Sequence, residues 1–404
     1  MPGVELLIMS CAPAPPPMTP RQKRPPAPFP LTVVTGFLGA GKTSLLNALL
    51  RDPALAGTLV IVNEFGEIGL DHLLVERLDG DMLLMTSGCL CCSIRGDLVA
   101  TLEDNLRRRD NGRIAPFQRV MIETTGLADP APVLHTVMAH PYLMLRFRVD
   151  GVVTLVDTVN GNATLDAHQE AVKQTAMADR LVLSKTDLLT AGSGALWDLR
   201  TRLKKLNPGA VLLDAAKGEA TAGALLNAGI YDPDRKIPDV RRWLNAEAFA
   251  ARGADEHPTH VHHHPHEEGS QGEAEKHDVN RHDARIRAFC MRHEAPLAPV
   301  ALDLFLELLR KAPGPRLLRV KGIVALRDDP SRPVIIQGVQ HLFHAPLRLP
   351  AWPDANHSTR MVFILRDLEP SFVETLWHTL TELAEPGAAT CADPLAPTKG
   401  GLLA

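Results

Sequence analysis

The chain has 404 residues, 45% hydrophobic and 22% charged, enough for two domains with sizeable cores. Its 43 basic and 47 acidic side chains leave a net charge of −4, so there is no general attraction to nucleic acid or to an anionic membrane. Six cysteines in so long a chain are not a secreted disulfide framework, and no apolar run approaches the roughly 20 residues that span a bilayer. The opening MPGVELLIMSCAPAPPP has no basic residue ahead of its short apolar run, so no signal peptide is expected. The reading is of a soluble cytoplasmic protein whose cysteines are thiols.

Residues 1–30 read as a proline-rich extended tail, with Met18 as an alternative start. From Leu31 short apolar runs alternate with helical stretches. The runs are LTVV (31–34), TLVIV (58–62), MLLM (82–85), RVMI (119–122), GVVTLV (151–156), RLVLS (180–184) and AVLL (210–213). Strands buried on both faces read this way, and the alternation predicts an α/β, mostly parallel, doubly wound sheet over 31–245. SLLNALL (44–50) and DAHQEAVKQTAMA (166–178) suit its helices. Residues 246–283 are rich in histidine and poor in apolar side chains, and read as a flexible linker. A small α+β domain is expected over 284–385. Its strands are LLRVKGIVAL (317–326), PVIIQGV (333–339) and RMVFIL (360–365), and its helices ALDLFLELLRKA (301–312) and PSFVETLWHTLTEL (370–383). Residues 386–404 form a tail. His341, His344, Cys290 and His378 read as packed or surface side chains rather than ligands.

GFLGAGKT, Gly36 to Thr43, matches the phosphate-binding P-loop and lies between a predicted strand and a predicted helix. Gly36, Gly39 and Gly41 let the backbone fold around phosphates, and the amides from Ala40 to Ser44 open the helix toward the anion. Lys42 should reach the β/γ-phosphates and the Thr43 hydroxyl should bind Mg²⁺. ETTGLADP (123–130) follows another strand. Glu123 is placed to orient Mg²⁺ or its water, and Gly126 to let the backbone approach the γ-phosphate. Lys42, Thr43 and Glu123 are thus the catalytic candidates, and no side chain stands out as a general base.

SKTD, Ser184 to Asp187, has the form of the guanine-reading element of GTPases, with Ser184 in place of the usual Asn. A carboxylate at Asp187 can accept two hydrogen bonds from guanine, whereas adenine presents an acceptor there. The Lys185 stem can cover the ring face. DAAKG (214–218) follows the next strand and looks like a second loop against the base.

GCLCC, Gly88 to Cys92, places three of the six cysteines within four residues. A disulfide, a packed apolar cluster and a metal site are the alternatives. A vicinal Cys91–Cys92 bridge is strained and disfavoured in a reducing compartment. Thiolates of Cys89, Cys91 and Cys92 would favour Zn²⁺ or Cu(I), and three sulfurs leave a fourth position open for exchange. The spacing is not that of a zinc finger, so packed thiols stay open as a reading. In NEFGEIGLD (63–71), Glu64 and Asp71 are candidates for Mg²⁺ or for the attacking water, or members of a solvated acidic loop. His260, His262, His263, His264 and His266 form an HxHHHxH run that either captures metal or is simply a solvated linker.

The order P-loop, NEFGEIGLD, GCLCC, ETTGLADP, SKTD, His-rich linker and small C-terminal domain closely resembles the CobW-like metallochaperone branch of the G3E P-loop GTPases, over about residues 31–385. The resemblance implies a GTPase using GTP and Mg²⁺, with Zn²⁺ bound at the CxCC motif and passed to a client apo-metalloprotein. It implies that GTP orders the switch loops and that hydrolysis releases the metal. The C-terminal domain would recognise the client or a second copy, so a homo-oligomer is one expectation. Two alternatives stay open: a Co²⁺-handling protein of cobalamin synthesis, and a zinc buffer or sensor in which nucleotide only sets conformation. A P-loop kinase is disfavoured by SKTD.

Overall fold

The computed structural model describes residues 27–63, 83–87, 94–190, 194–226, 285–311 and 316–383. In the N-terminal part, β1 (Phe29–Gly36), β2 (Thr58–Asn63), β3 (Leu83–Ser87), β4 (Arg119–Glu123), β5 (Phe147–Asp157), β6 (Arg180–Ser184) and β7 (Val211–Asp214) form one sheet. Its order is β3-β2-β4-β1-β5-β6-β7, and each neighbouring pair is parallel. All seven predicted runs are strands of this sheet. β1 begins at Phe29, two residues before the expected start at Leu31, and that ring packs edge-on against Phe117 at 5.5 Å.

Helices cover both faces, which is why the strands read as continuous apolar runs. They are α1 (Lys42–Leu49), α2 (Ile94–Asp110), α3 (Ala131–Ala139), α4 (Pro141–Arg146), α5 (Gly161–Ala167), α6 (Gln169–Met177), α7 (Ala195–Leu206) and α8 (Ala222–Leu225). Leu98, Leu102 and Leu106 of α2 repeat every four residues and pack with Leu31 and Val33 on one face. Leu45, Leu46 and Leu49 of α1 pack with Val34 on the other.

The single helix expected over 166–178 is two. His168 is extended at φ −131°, ψ 113°, ending α5 and opening α6. Its ring stacks on Phe37 of the P-loop, with centroids 4.4 Å apart. That tertiary contact overrides the local helical pattern.

The C-terminal part comprises β8 (Ile286–His293), α9 (Pro299–Lys311), β9 (Leu317–Val324), β10 (Val334–Val339), β11 (Leu342–Phe343), β12 (Leu347–Arg348), β13 (Thr359–Arg366) and α10 (Pro370–Leu383). Its sheet, β11-β10-β9-β13-β8 with β12 on β10, is antiparallel. α9 and α10 cover one face through Phe305, Leu309, Val373 and Trp377. Cys290 packs beside Val362 and Trp352, and His378 is exposed.

The two parts share a core. Ile286, Leu318 and Ile364 join Leu199 and Leu203 of α7, and Val339 joins the cluster under α2 and α3. At the seam the buried Asp179 meets two buried cations of β9. Lys321 Nζ lies 2.6 Å from its Oδ1, and the Arg319 guanidinium contacts the same oxygen. Asp179 Oδ2 accepts from Val152 N–H at 2.9 Å. Burial alone would raise the Asp179 pKa, but Arg319 and Lys321 hold it well below the usual carboxylate range. Removing one partner of such a buried group costs roughly 3–5 kcal/mol, so this contact locks the domains in register. Among the described residues no helix is long and apolar enough to cross a membrane.

Candidate nucleotide and metal site

In a parallel sheet the C-terminal strand ends share one edge, where ligands of open α/β folds bind. β1 delivers Gly36, β4 delivers Glu123 and β6 delivers Ser184 to this edge. Gly39 and Gly41 have φ of +71° and +90°, the left-handed backbone that curls the loop into α1. Lys42 folds back over the loop, and its Nζ donates to the Gly36 and Phe37 carbonyls at 3.0 and 3.3 Å. The ammonium is thereby held inside the cradle that would receive phosphate. Ala40 is buried and Ser44 exposed.

Thr43 Oγ1 lies 3.1 Å from Glu123 Oε1, and Glu123 is only 4% exposed. The pair joins the first turn of α1 to the end of β4 and offers two hard oxygens to one point. This donor set fits Mg²⁺, which takes oxygen ligands in combination with water and phosphate. Beyond Glu123, the Thr124 hydroxyl donates to Thr35 Oγ1 at 2.8 Å. A Cβ on Gly126 would come within 2.6 Å of Leu38 N, so only glycine lets this loop lie against the P-loop.

At the base side, Ser184 is buried, and its hydroxyl donates to the Ala40 carbonyl at 2.8 Å. Lys185 is left-handed at φ +59°, turning the chain so that Asp187 is exposed at the rim. Thr186 Oγ1 donates to Asp214 Oδ1 at 2.6 Å, which ties SKTD to the start of DAAKG.

Three side chains that make contacts at the site or the seam escaped the sequence reading. Asp157 Oδ2 accepts from Lys185 Nζ at 2.7 Å. Burial works against the Asp157 charge, but Lys185, the Val159 N–H and the Asn160 amide outweigh it and hold the pKa below the ordinary value. The available signal was its position, an acid at a strand end on the ligand edge. The other two are Gln174, which donates to the Gly126 and Ala128 carbonyls at 3.1 and 2.9 Å, and Arg319 at the seam. Nothing local marked these.

Glu64, Asp71, Cys89, Cys91, Cys92, His260, His262, His263, His264 and His266 lie outside the described residues. The strands leading to two of these segments are described. Asn63, immediately before Glu64, pairs in register with Ser87, immediately before Gly88. One register row runs Thr86, Val62, Glu123, Val34. At about 4.8 Å per strand, Ser87, the last described residue before the cysteine segment, lies about 10 Å across the sheet from the Glu123 strand. Among the described residues no three His, Cys, Asp or Glu side chains converge as metal ligands.

The family pattern described as CobW/HypB/UreG, nucleotide-binding domain, matches residues 30–214, and the cobalamin synthesis protein cobW C-terminal domain matches residues 286–381. The zinc chaperone YjiA of Escherichia coli is 30% identical over 337 residues, covering 83% of this chain and 94% of that protein. The zinc chaperone CobW of Pseudomonas aeruginosa is 30% identical over 386 residues, 87% and 92% of the two. Zinc-regulated GTPase metalloprotein activator 1 of Schizosaccharomyces pombe is 36% identical over 47% of this chain and 46% of its own. The crystal structure of Zn(II)-bound YjiA GTPase superposes with a TM-score of 0.61 at 27% identity, covering 88% of this chain and 99% of that one.

Proposed function

Because this chain belongs to the CobW/HypB/UreG family of P-loop GTPases, we propose that it spends GTP hydrolysis on delivering zinc from Cys89, Cys91 and Cys92 to a client apo-metalloprotein. The observation that carries this reading is the register row from Thr86 through Val62 to Glu123. It brings the chain into the cysteine segment two strands from the carboxylate facing the nucleotide's metal. The relatives named as zinc chaperones support zinc as cargo. A variant of YjiA with one glutamate and two adjacent cysteines changed to alanine is also zinc-bound, so that protein holds zinc without those three side chains as well. This chain carries Cys91 and Cys92 as an adjacent pair, and Glu64 follows the strand that pairs with theirs.

In this reading Lys42 and the loop amides hold the β- and γ-phosphates, and Asp187 accepts from the guanine edge while Lys185 covers the ring. Thr43 and Glu123 hold Mg²⁺, which when bound neutralises charge on the transferred phosphoryl group. Gly126 brings its backbone against the γ-phosphate, so its loop is free to move when that phosphate leaves. Glu64 and Asp71 follow β2, beside the Glu123 strand, and the cysteines follow β3 one strand further, so a change at Glu123 reaches the thiolate geometry through β2. His260, His262, His263, His264 and His266 serve as a first, weak capture site feeding the thiolates. The chain acts in the cytoplasm, where thiols stay reduced.

The test is Zn²⁺ and Co²⁺ titration of the full chain with GDP, and with a non-hydrolysable GTP analogue plus Mg²⁺, repeated on Cys89/Cys91/Cys92→Ser. A nucleotide-dependent zinc affinity that vanishes in the triple variant is expected. Equal affinities in both nucleotide states would remove the coupling and leave a zinc buffer.

A further inference from the structure

Helix α6 spans only Gln169–Met177, yet its last turn touches both the nucleotide loop and the C-terminal domain. At position 174 the amide reaches up. Gln174 is fully buried, and Nε2 donates to the carbonyls of Gly126 and Ala128. Both carbonyls belong to the loop that abuts the P-loop at Leu38. At the C-terminal end the carbonyl of Met177 accepts from the Arg319 guanidinium, which also pairs with Asp179. Arg319 comes from β9 of the other domain and is 3% exposed. Three residues of helix separate the two contacts, about 4.5 Å along the axis.

The surroundings hold α6 as a unit while leaving it space on one side. Thr154 Oγ1 donates to the Gln174 carbonyl at 2.8 Å. Asn207 Nδ2 serves the carbonyls of Thr175, Ala176 and Ala178 at 2.8, 3.1 and 2.9 Å. Between the helix and the P-loop lies a cavity of about 250 Å³ lined by Phe37, Leu38, Asp157, Ala171 and Gln174. Close-packed interiors transmit displacement, and a cavity beside one face gives it somewhere to go.

We propose that α6 is a lever between the domains, and that Arg319 and Gln174 are positioning residues for GTP hydrolysis. Arg319 fixes the end of the helix, and Gln174 converts that position into the placement of the Gly126–Ala128 backbone. A partner that shifts the β9 sheet changes hydrolysis without touching nucleotide. The lever rests on the reading that the Gly126 loop meets the γ-phosphate. It does not depend on zinc or on the cysteines.

The experiment measures kcat and KM for GTP on the full chain, with melting temperature recorded for every variant. Gln174→Ala is expected to lower kcat about 10-fold with KM changed less than about 2-fold, because the loop, not ground-state binding, is disturbed. Arg319→Lys keeps the charge on Asp179 but gives up the planar fork to Met177, and is expected to lower kcat about 3-fold. The double variant should be no slower than Gln174→Ala alone, since both act through one helix. If Gln174→Ala does not fold, Gln174→Met keeps the length and removes the donors without burying a charge, and is read in its place. Unchanged kcat in folded single variants, losses that multiply in the double, or an effect confined to KM would each overturn the lever. Lys42→Ala is the control: hydrolysis surviving in it would overturn the nucleotide site itself, a failure distinct from that of the lever.

Discussion

Ser184 Oγ donates to the carbonyl of Ala40 across 2.8 Å, joining residues 144 apart in sequence. One hydrogen bond therefore ties the SKTD turn to the phosphate loop, so a base held at the one and phosphates held at the other would be presented at a set spacing. The serine that departs from the usual asparagine still makes a tether to the P-loop. Ser184→Ala leaves the buried Ala40 carbonyl short of this donor and should cost about 1 kcal/mol, or about 5-fold in GDP and GTP affinity. Titration with a fluorescent guanine nucleotide reads this; an unchanged affinity would show that the tether carries nothing.

Asp187 stands exposed at the rim, where a carboxylate can accept both guanine donors. Asp187→Asn exchanges one acceptor for a donor and so matches xanthine, which has a carbonyl where guanine has its amino group. The ratio of activity on xanthosine triphosphate to that on GTP should rise by about 100-fold or more. Equal losses on both nucleotides would place the base elsewhere.

The contact of Thr43 with Glu123 predicts a metal-linked defect. Glu123→Gln keeps the hydrogen bond to Thr43 and removes the charge that would face Mg²⁺ in the proposed reading. kcat should fall by about 100-fold, with nucleotide affinity in the presence of a chelator unchanged. A variant that hydrolyses GTP normally at low Mg²⁺ would contradict the assignment.

His344 lies at the domain seam, in a groove with Met138, Phe147 and Arg148. Burial, then the charge of Arg319, pushes its pKa down to about 4 from 6.5, with Asp179 opposing. The folded state therefore binds fewer protons than the unfolded chain between these values. Its contribution is complete above pH about 6.5 and is lost as pH falls toward about 4. The melting temperature should drop over that window, and less steeply in His344→Gln. Parallel curves for the two proteins would mean that another group governs the acid limb.

Much of this architecture is legible in the chain because its cause is local. LTVV and RLVLS announce buried parallel strands through continuous apolar runs, and GFLGAGKT announces its loop through glycines that alone accept the needed backbone. PSFVETLWHTLTEL matches α10 residue for residue. The break at His168 is not legible, because it depends on a ring of Phe37 that arrives from 131 residues away. β11 and β12, two residues each, are too short for any periodicity to mark.

By itself the sequence determined which chemical groups exist and in what order the strand ends carry them, since periodicity and covalent order need no partner. Only the packed fold set who meets whom. Asp157 takes Lys185, Gln174 takes the Gly126 loop, and Arg319 crosses 142 residues to Met177. Each pairing is between a buried polar group and a partner that secondary structure leaves undetermined. Burial makes an unmatched group costly, so the docking that excludes water also selects the contact.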